Sequence, residues 1–391
     1  MYKYLKYYIR GHRTDKESTT KTSLPMLCIS ILFFIYLLEK THIVYQSSTL
    51  IAIFDALEWP LYILAFMNAV KHSKYTYKEA FLVGGVCSCF LITYIVSGYA
   101  ELLKGALIIV AMRKTKYKII VETFIRVLII SFILTIILYI TGISNAGVQR
   151  RGANSLGYMQ ANAVGFVLMM LTFLILIYKS NLNLSNRLGL VFLNLVGFIV
   201  SDSRSGFLMA CLAIVFINNF TFKVFNKVAI LQWIIKLLPF ACLGITVITA
   251  CLYPKNAIIQ RFDAIFSSRI WLNYYNLTNH NITFLGQHVD LWNMTNKIYN
   301  SISDKWTTYM TVDNVYVGML LQMGLLSTLL VFGAYYCLIK KFSILDEYPS
   351  IIVLSLLCIY GLVETSILSV YVCFPFLVLL NRDIEIQKIN S

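Results

Sequence analysis

Residues 113–143 read RKTKYKIIVETFIRVLIISFILTIILYITGI. A basic cluster (Arg113, Lys114, Lys116, Lys118) opens onto an apolar run, 119–143, whose only charges are Glu122 and Arg126. About 20 apolar residues suffice to cross roughly 30 Å of hydrocarbon, so this run is long enough to span a bilayer. Lipid offers the backbone no hydrogen bonds, so such a segment must be a helix. Cations abutting a span mark its cytoplasmic side.

The same alternation extends in both directions. Apolar segments fall near 24–39, 47–70, 80–97, 99–112, 119–143, 158–178, 186–200, 205–221, 229–252, 314–338, 350–364 and 366–381. The fourth and the last two are short for a crossing. Most lysines and arginines fall in the N-terminal tail (1–23), in every second connection and in the C-terminal tail. Examples are Lys3, Lys6, Arg10, Arg13, Lys71, Lys74, Lys340 and Lys341. The expected fold is an all-α polytopic membrane protein: one membrane domain over 1–391, about 12 transmembrane helices, and both termini cytoplasmic. The 391 residues are 59% apolar and 13% charged, with a mean hydropathy of +0.73, which excludes a soluble domain. The topology accounts for the net charge of +15, so nucleic acid is not an expected partner. The basic start lacks a small-residue cleavage site and is read as an uncleaved first span. All nine cysteines fall in apolar segments, so neither a disulfide framework nor a cysteine metal site is expected.

One connection is long. By parity 253–313 is external, between spans nine and ten. It carries three of the five tryptophans, Trp271, Trp292 and Trp306, with Tyr274, Tyr275, Tyr299 and Tyr309. Long loops are usually functional or disordered, and this one is too aromatic for disorder. Phe262, Ile265, Phe266 and Arg269 repeat at helical spacing within 260–277, which predicts a helical cap on the outer membrane surface.

The cations that break the alternation are mostly arginines beside short polar motifs. Ser201-Asp202-Ser203-Arg204-Ser205-Gly206 joins two spans at the outer surface. A helix N-terminus with a forked guanidinium suits phosphate; the plainer alternative is a polar turn in which Asp202 pairs Arg204. Arg261 and Arg269, with Ser267, Ser268 and Trp271, read either as a second anion clamp with an aromatic wall for sugar, or as an interfacial amphipathic helix. Arg150 and Arg151 precede Gly157-Tyr158-Met159-Gln160-Ala161-Asn162, and Asn162 enters a span, where it needs a partner. Asp313 is a candidate general base or a helix N-cap, with Asn314 beside it. Glu364 falls at the outer end of span eleven. Asp55 and Glu58 share a face inside span two. Glu101–Lys104 and Glu122–Arg126 have the spacing of structural pairs.

Taken in order, these motifs resemble the superfamily of O-antigen polymerases (Wzy) and O-antigen ligases. The resemblance rests on the Ser-x-Ser-Arg-x-Gly turn at 201–206, Gly157…Asn162 upstream, Ser268-Arg269-x-Trp271 in the outer loop, and Asp313-Asn314-x-Tyr316…Gly324 opening the next span. It covers about 150–330 by motif and the whole chain by topology. It implies a metal-independent, cofactor-free glycosyltransferase of the bacterial cytoplasmic membrane. The substrate would be an undecaprenyl-pyrophosphate-linked glycan, with a chain-length regulator and a flippase as partners besides membrane lipids. By the same resemblance Arg204, Arg269 and Asp313 are catalytic. Arg150, Arg151, Asn162, Ser203, Arg261, Trp271, Asn314 and Glu364 are substrate-binding. Many members carry His-Asn where this chain has Asp313-Asn314. The rival readings are a ligase acting on another acceptor, and a lipid-linked oligosaccharide transporter that would use Asp55 and Glu58.

Overall fold

The computed structural model describes residues 24–73, 75–145, 153–218, 221–222, 229–265, 267–291, 298–300, 305–307 and 312–381. The chain is overwhelmingly helical. The helices are α1 (Leu24–Leu38), α2 (His42–Gln46), α3 (Ser48–His72), α4 (Tyr77–Ser97), α5 (Glu101–Ala111), α6 (Tyr117–Ile140), α7 (Asn162–Tyr178), α8 (Leu184–Ser201), α9 (Arg204–Phe216), α10 (Ala229–Lys236), α11 (Leu238–Leu252), α12 (Ala257–Ile265), α13 (Arg269–Asn279), α14 (Val315–Gly318), α15 (Gly324–Ile344) and α16 (Tyr348–Tyr360). A short antiparallel ribbon pairs Ile298–Asn300 with Lys305–Thr307.

Six stretches are long and apolar enough to cross a membrane: α3, α4, α6, α8, α11 with its 3₁₀ extension to Lys255, and the run Val315–Ile344. The helices α1, α7, α9 and α16 are equally apolar but shorter. Their exposures differ as their surroundings require. The helix α7 is the centre of the bundle, with residues 164–174 buried all round, whereas α3, α4 and α8 leave large apolar side chains such as Leu64, Phe81 and Phe192 outward. A helix that is apolar on its exposed face needs an apolar solvent.

Three segments depart from the expected spans. The ninth, 229–252, is two helices, because Pro239 at the start of α11 has no N–H to continue α10. The tenth bends at a π-helical turn, Met319–Met323, followed by Gly324 at φ +80°. The twelfth, 366–381, forms no α-helix: it holds two short 3₁₀ turns, Ser366–Leu368 and Phe374–Val378. Its far end is tied down by Lys341, whose Nζ donates to the carbonyl of Val378 at 2.6 Å and to that of Asn381, and by the Asn381 amide donating to the Thr115 carbonyl. Val370, Val372, Phe374, Leu377 and Val378 are buried. Irregular backbone is tolerable at membrane depth only when protein covers it, and here it does.

Cations at this end of the bundle serve helix C-termini. Arg187 donates to Ile214 O at 2.6 Å and Ile217 O at 2.7 Å, closing the end of α9. Orphan carbonyls and the negative pole of the helix both favour such a cation.

Candidate functional site

The turn at 201–206 ends α8 and starts α9. Asp202 takes a left-handed conformation (φ +49°) as the C-cap of α8, which reverses the chain within two residues. Ser203 is buried, and its hydroxyl points at the carbonyl of Asn162, 3.5 Å away. A Cβ at Gly206 would lie 2.9 Å from Gly165 O, and one at Gly165 would lie 2.3 Å from the Ser203 side chain. The small residues of the motif therefore let α7 and α9 cross backbone to backbone. Ser203 belongs to that crossing and has no open face for substrate, contrary to the expectation. The side chain of Asn162 is exposed at the start of α7. Arg204 is paired with Asp202, Nε to Oδ1 at 3.2 Å, with 69% of its side chain exposed. An exposed pair of this kind contributes little, so the guanidinium can exchange Asp202 for a stronger anion.

The predicted single helix over 260–277 is two helices. Ser267 and Ser268 are both left-handed (φ +56° and +64°), and α13 restarts at Arg269. The buried Asp263 makes the break. Its Oδ1 accepts from the N–H groups of Ile270 (2.8 Å) and Trp271 (3.2 Å), capping α13. Burial pushes the Asp263 carboxyl above the usual range, while those two donors and Tyr253 pull it down. Arg261 is thus on α12 and exposed, on a different helix from Arg269. Trp271 is 3% exposed and packs with Tyr253, Leu272 and the Tyr275 ring. The aromatic wall expected of it is the core of the cap. Phe266 falls outside the described residues, as do Arg150, Arg151, Trp292 and Tyr309; Tyr299 and Trp306 are described only as ribbon backbone.

Arg269 meets Asp313. Its Nε and Nη2 donate to the same oxygen, Oδ2, at 3.1 and 2.9 Å, and both side chains are roughly two-thirds shielded from solvent. The N-cap of α14 is Asn314, not Asp313. The Asn314 Oδ1 accepts from Tyr316 N and Val317 N, and its amide donates to Thr246 Oγ1 (3.2 Å) and Leu362 O (3.1 Å). At 3% exposure Asn314 is committed to holding the helix start, which leaves Asp313 projecting beside it.

Tyr360 joins these parts. It is buried, with Ser205 of the arginine turn, Glu364, Arg269 and Asp313 in its surroundings. Glu364 follows in the turn beyond α16. Its Oε1 accepts from the Ser366 N–H at 3.4 Å, and Asp313, Lys40 and Arg269 lie within electrostatic reach. Lys40, which lies over the Tyr36 ring at 5.1 Å, was not among the residues the sequence singled out. Its turn is bonded to the Gly157…Asn162 motif: Met159 N donates to Lys40 O at 2.8 Å, and His42 N to Gly157 O at 2.9 Å. The signal was present, since Lys40 is a cation on the side where cations are scarce. The outcome is a mixed cluster of Arg269, Asp313, Glu364 and Lys40, with Arg204 on the adjoining turn. Glu39, Glu58 and Lys104 continue it, because Glu39 lies within reach of both of the others. Glu58, on α3, is ion-paired to Lys104 of α5, and Lys104 sits near the Trp59 and Tyr62 rings. Lys104 thus pairs across helices rather than with Glu101, while Glu122 and Arg126 do pair with each other.

No family model, no curated protein and no solved structure matches the chain.

Proposed function

We propose that this protein is a membrane glycosyltransferase that polymerises lipid-diphosphate-linked repeat units into a surface polysaccharide at the outer face of a bacterial cytoplasmic membrane. The observation that carries the reading is that Arg269 of the cap pairs with Asp313 where the start of α14 is bonded to Gly361 and Leu362 at the end of α16. The turn bearing Arg204, the cap residue Arg269 and the Asp313-Asn314 helix start are far apart in sequence and occupy one end of the bundle. Anionic diphosphate would be held by Arg204 and by Arg269, whose Nη1 is not used by Asp313. Fixed guanidinium groups stabilise charge that develops on a leaving diphosphate. Asp313 or Glu364 would take the proton of the attacking sugar hydroxyl.

In this reading the chain crosses the membrane twelve times. The segment 361–381 makes the last crossing as buried irregular backbone, from beside Glu364 to Thr115. The cap at 253–313 faces outward and both termini face the cytoplasm. The transporter reading asks for charges along a central path; Glu58 is instead neutralised by Lys104 and continuous with the cluster at one end. A ligase would use the same donor site with a different acceptor.

The test is deletion of the gene followed by electrophoresis of surface polysaccharide. Product limited to single repeat units supports the polymerase. Long polymer left on its carrier would mean a ligase, and loss of all externally displayed units a flippase.

A further inference from the structure

Between α4, α5, α15 and the strap 361–381 lies a cavity of about 590 Å³. It is not part of the charged cluster. The outer half of α4 is fastened to α15 by the Thr93–Ser327 hydroxyl contact at 2.8 Å. Its inner half stands away, and Gly84 and Gly85 have nothing within 4 Å of a would-be Cβ. At the foot of α4, Arg113, just beyond the end of α5, pairs with Glu79 at 2.9 Å and stacks on Tyr75. The two helices and the strap thus enclose a wedge, and Leu82 and Leu329 at its rim are exposed to the surroundings.

The wedge has a chemistry. Glu101, at its outer end, is the one charged residue lining it. At its inner end it shares Leu82, Val83 and Leu380 with a smaller cavity of about 270 Å³, whose remaining walls are Lys78, Glu79 and Arg113. An apolar slot therefore opens onto a mouth with two cations and one carboxylate. A chain-like apolar occupant with an anionic head matches both parts. The head belongs at the Lys78 end, because Glu101 repels an anion at the other.

We propose that this wedge is a binding site for an anionic phospholipid of the inner leaflet, one acyl chain lying between α4 and α15 and the phosphate at Lys78 and Arg113. The volume is within the usual range of ligand sites, about 300–1,000 Å³. Close-packed interiors do not leave voids of this size, and the acyl chain supplies the missing contacts between α4 and α15. The site does not depend on the polymerase reading: its head group sits at the opposite end of the bundle from Arg269, and its occupancy can be read without any turnover.

Native mass spectrometry of the detergent-purified full chain tests it, with phosphatidylglycerol and phosphatidylcholine of matched chains as probes. Phosphatidylglycerol is expected to be retained about fivefold or more over phosphatidylcholine, the preference one well-placed cation gives. Lys78→Glu, at an exposed position, should erase that preference. Val86→Trp, which fills the wedge, should reduce retention of both lipids while leaving the thermal unfolding midpoint unchanged or raised. Equal retention of the two lipids by the unmodified chain, or an undiminished preference in Lys78→Glu, overturns the head-group assignment. Undiminished retention in Val86→Trp overturns the placement of the chain.

Discussion

At the scale of single residues, the pair Arg269–Asp313 and its neighbour Asn314 separate chemistry from scaffolding. A hydrogen bond to a charged group contributes about 1.5–3 kcal/mol, and each 1.36 kcal/mol of barrier is about tenfold in rate. Arg269→Ala and Arg204→Ala are each expected to lower polymer synthesis by about one to two decades, with the protein still in the membrane. Arg269→Lys should recover only part, because an ammonium cannot reproduce the guanidinium fork. Full-length polymer from either alanine variant at normal expression would refute the donor site. Asp313 is expected to tolerate Glu better than Asn or His, since either of the latter leaves Arg269 without its anion. A histidine at this position would face the Arg269 guanidinium, a conflict invisible until Arg269 is placed. Asn314→Ala should behave differently. It removes an N-cap worth about 0.5–2 kcal/mol and two further hydrogen bonds, so it should lower the thermal midpoint in detergent more than Asp313→Asn, which leaves the cap of α14 in place. These residues were legible as candidates because polar groups are rare in so apolar a chain. Their division of labour was not, because capping, burial and pairing depend on which neighbour arrives, and Tyr360, Thr246 and Lys40 come from distant parts of the chain.

Among the elements, periodicity and apolar length located nearly every helix to within a few residues, and failed where backbone geometry overrides composition. The run Gln260–Leu277 has unbroken helical spacing, yet Asp263 caps the second half and Ser267 and Ser268 turn left-handed. Residues 366–381 are apolar enough for a span but carry Pro375 and are largely buried, so length alone mistook a strap for a helix. Glycines test this distinction. Gly324 is left-handed, and a Cβ there would lie 2.2 Å from Gly286 N. The two glycines bring 283–287 against the start of α15, where Leu325 N donates to Thr283 O at 3.0 Å and Gln287 N to Gln322 O at 3.2 Å. Gly324→Ala incurs about 1–2 kcal/mol for the left-handed backbone alone and displaces that segment as well. Gly84→Ala and Gly85→Ala, in open space inside α4, should instead stabilise by about 0.5–1 kcal/mol each. Thermal unfolding of the three variants in detergent checks the order. A Gly324→Ala protein as stable as the parent would mean that the backbone approach at Gly286 is not formed.

For the whole molecule, the decisive arrangement is that its two ends differ in kind. One end gathers Arg204, Arg269, Asp313, Glu364 and Lys40, acids and bases together, beneath a cap of helices. The other carries Arg113, Arg187 and Lys341, set beside a carboxylate and beside helix and strap carbonyls. The basic alternation along the sequence is consistent with cations such as Arg187 and Lys341 closing carbonyls at one end. Which residues would meet at the mixed end was not foretold, since the alternation fixes sides and not neighbours. The polarity makes a topology experiment a test of function as well. A cysteine placed at Lys114 is expected to be shielded from a membrane-impermeant thiol reagent in intact cells, and one at Thr278, on α13, to be labelled, in a background where the native cysteines are replaced. The two positions belong to opposite ends of the bundle, so they must report opposite sides if the helices cross. Labelling at Lys114 with protection at Thr278 would invert the molecule. Arg204, Arg269 and Asp313 would then face the cytoplasm together, because they share one end of the bundle, and no choice of catalytic base would rescue a polymerase working on glycans displayed outside.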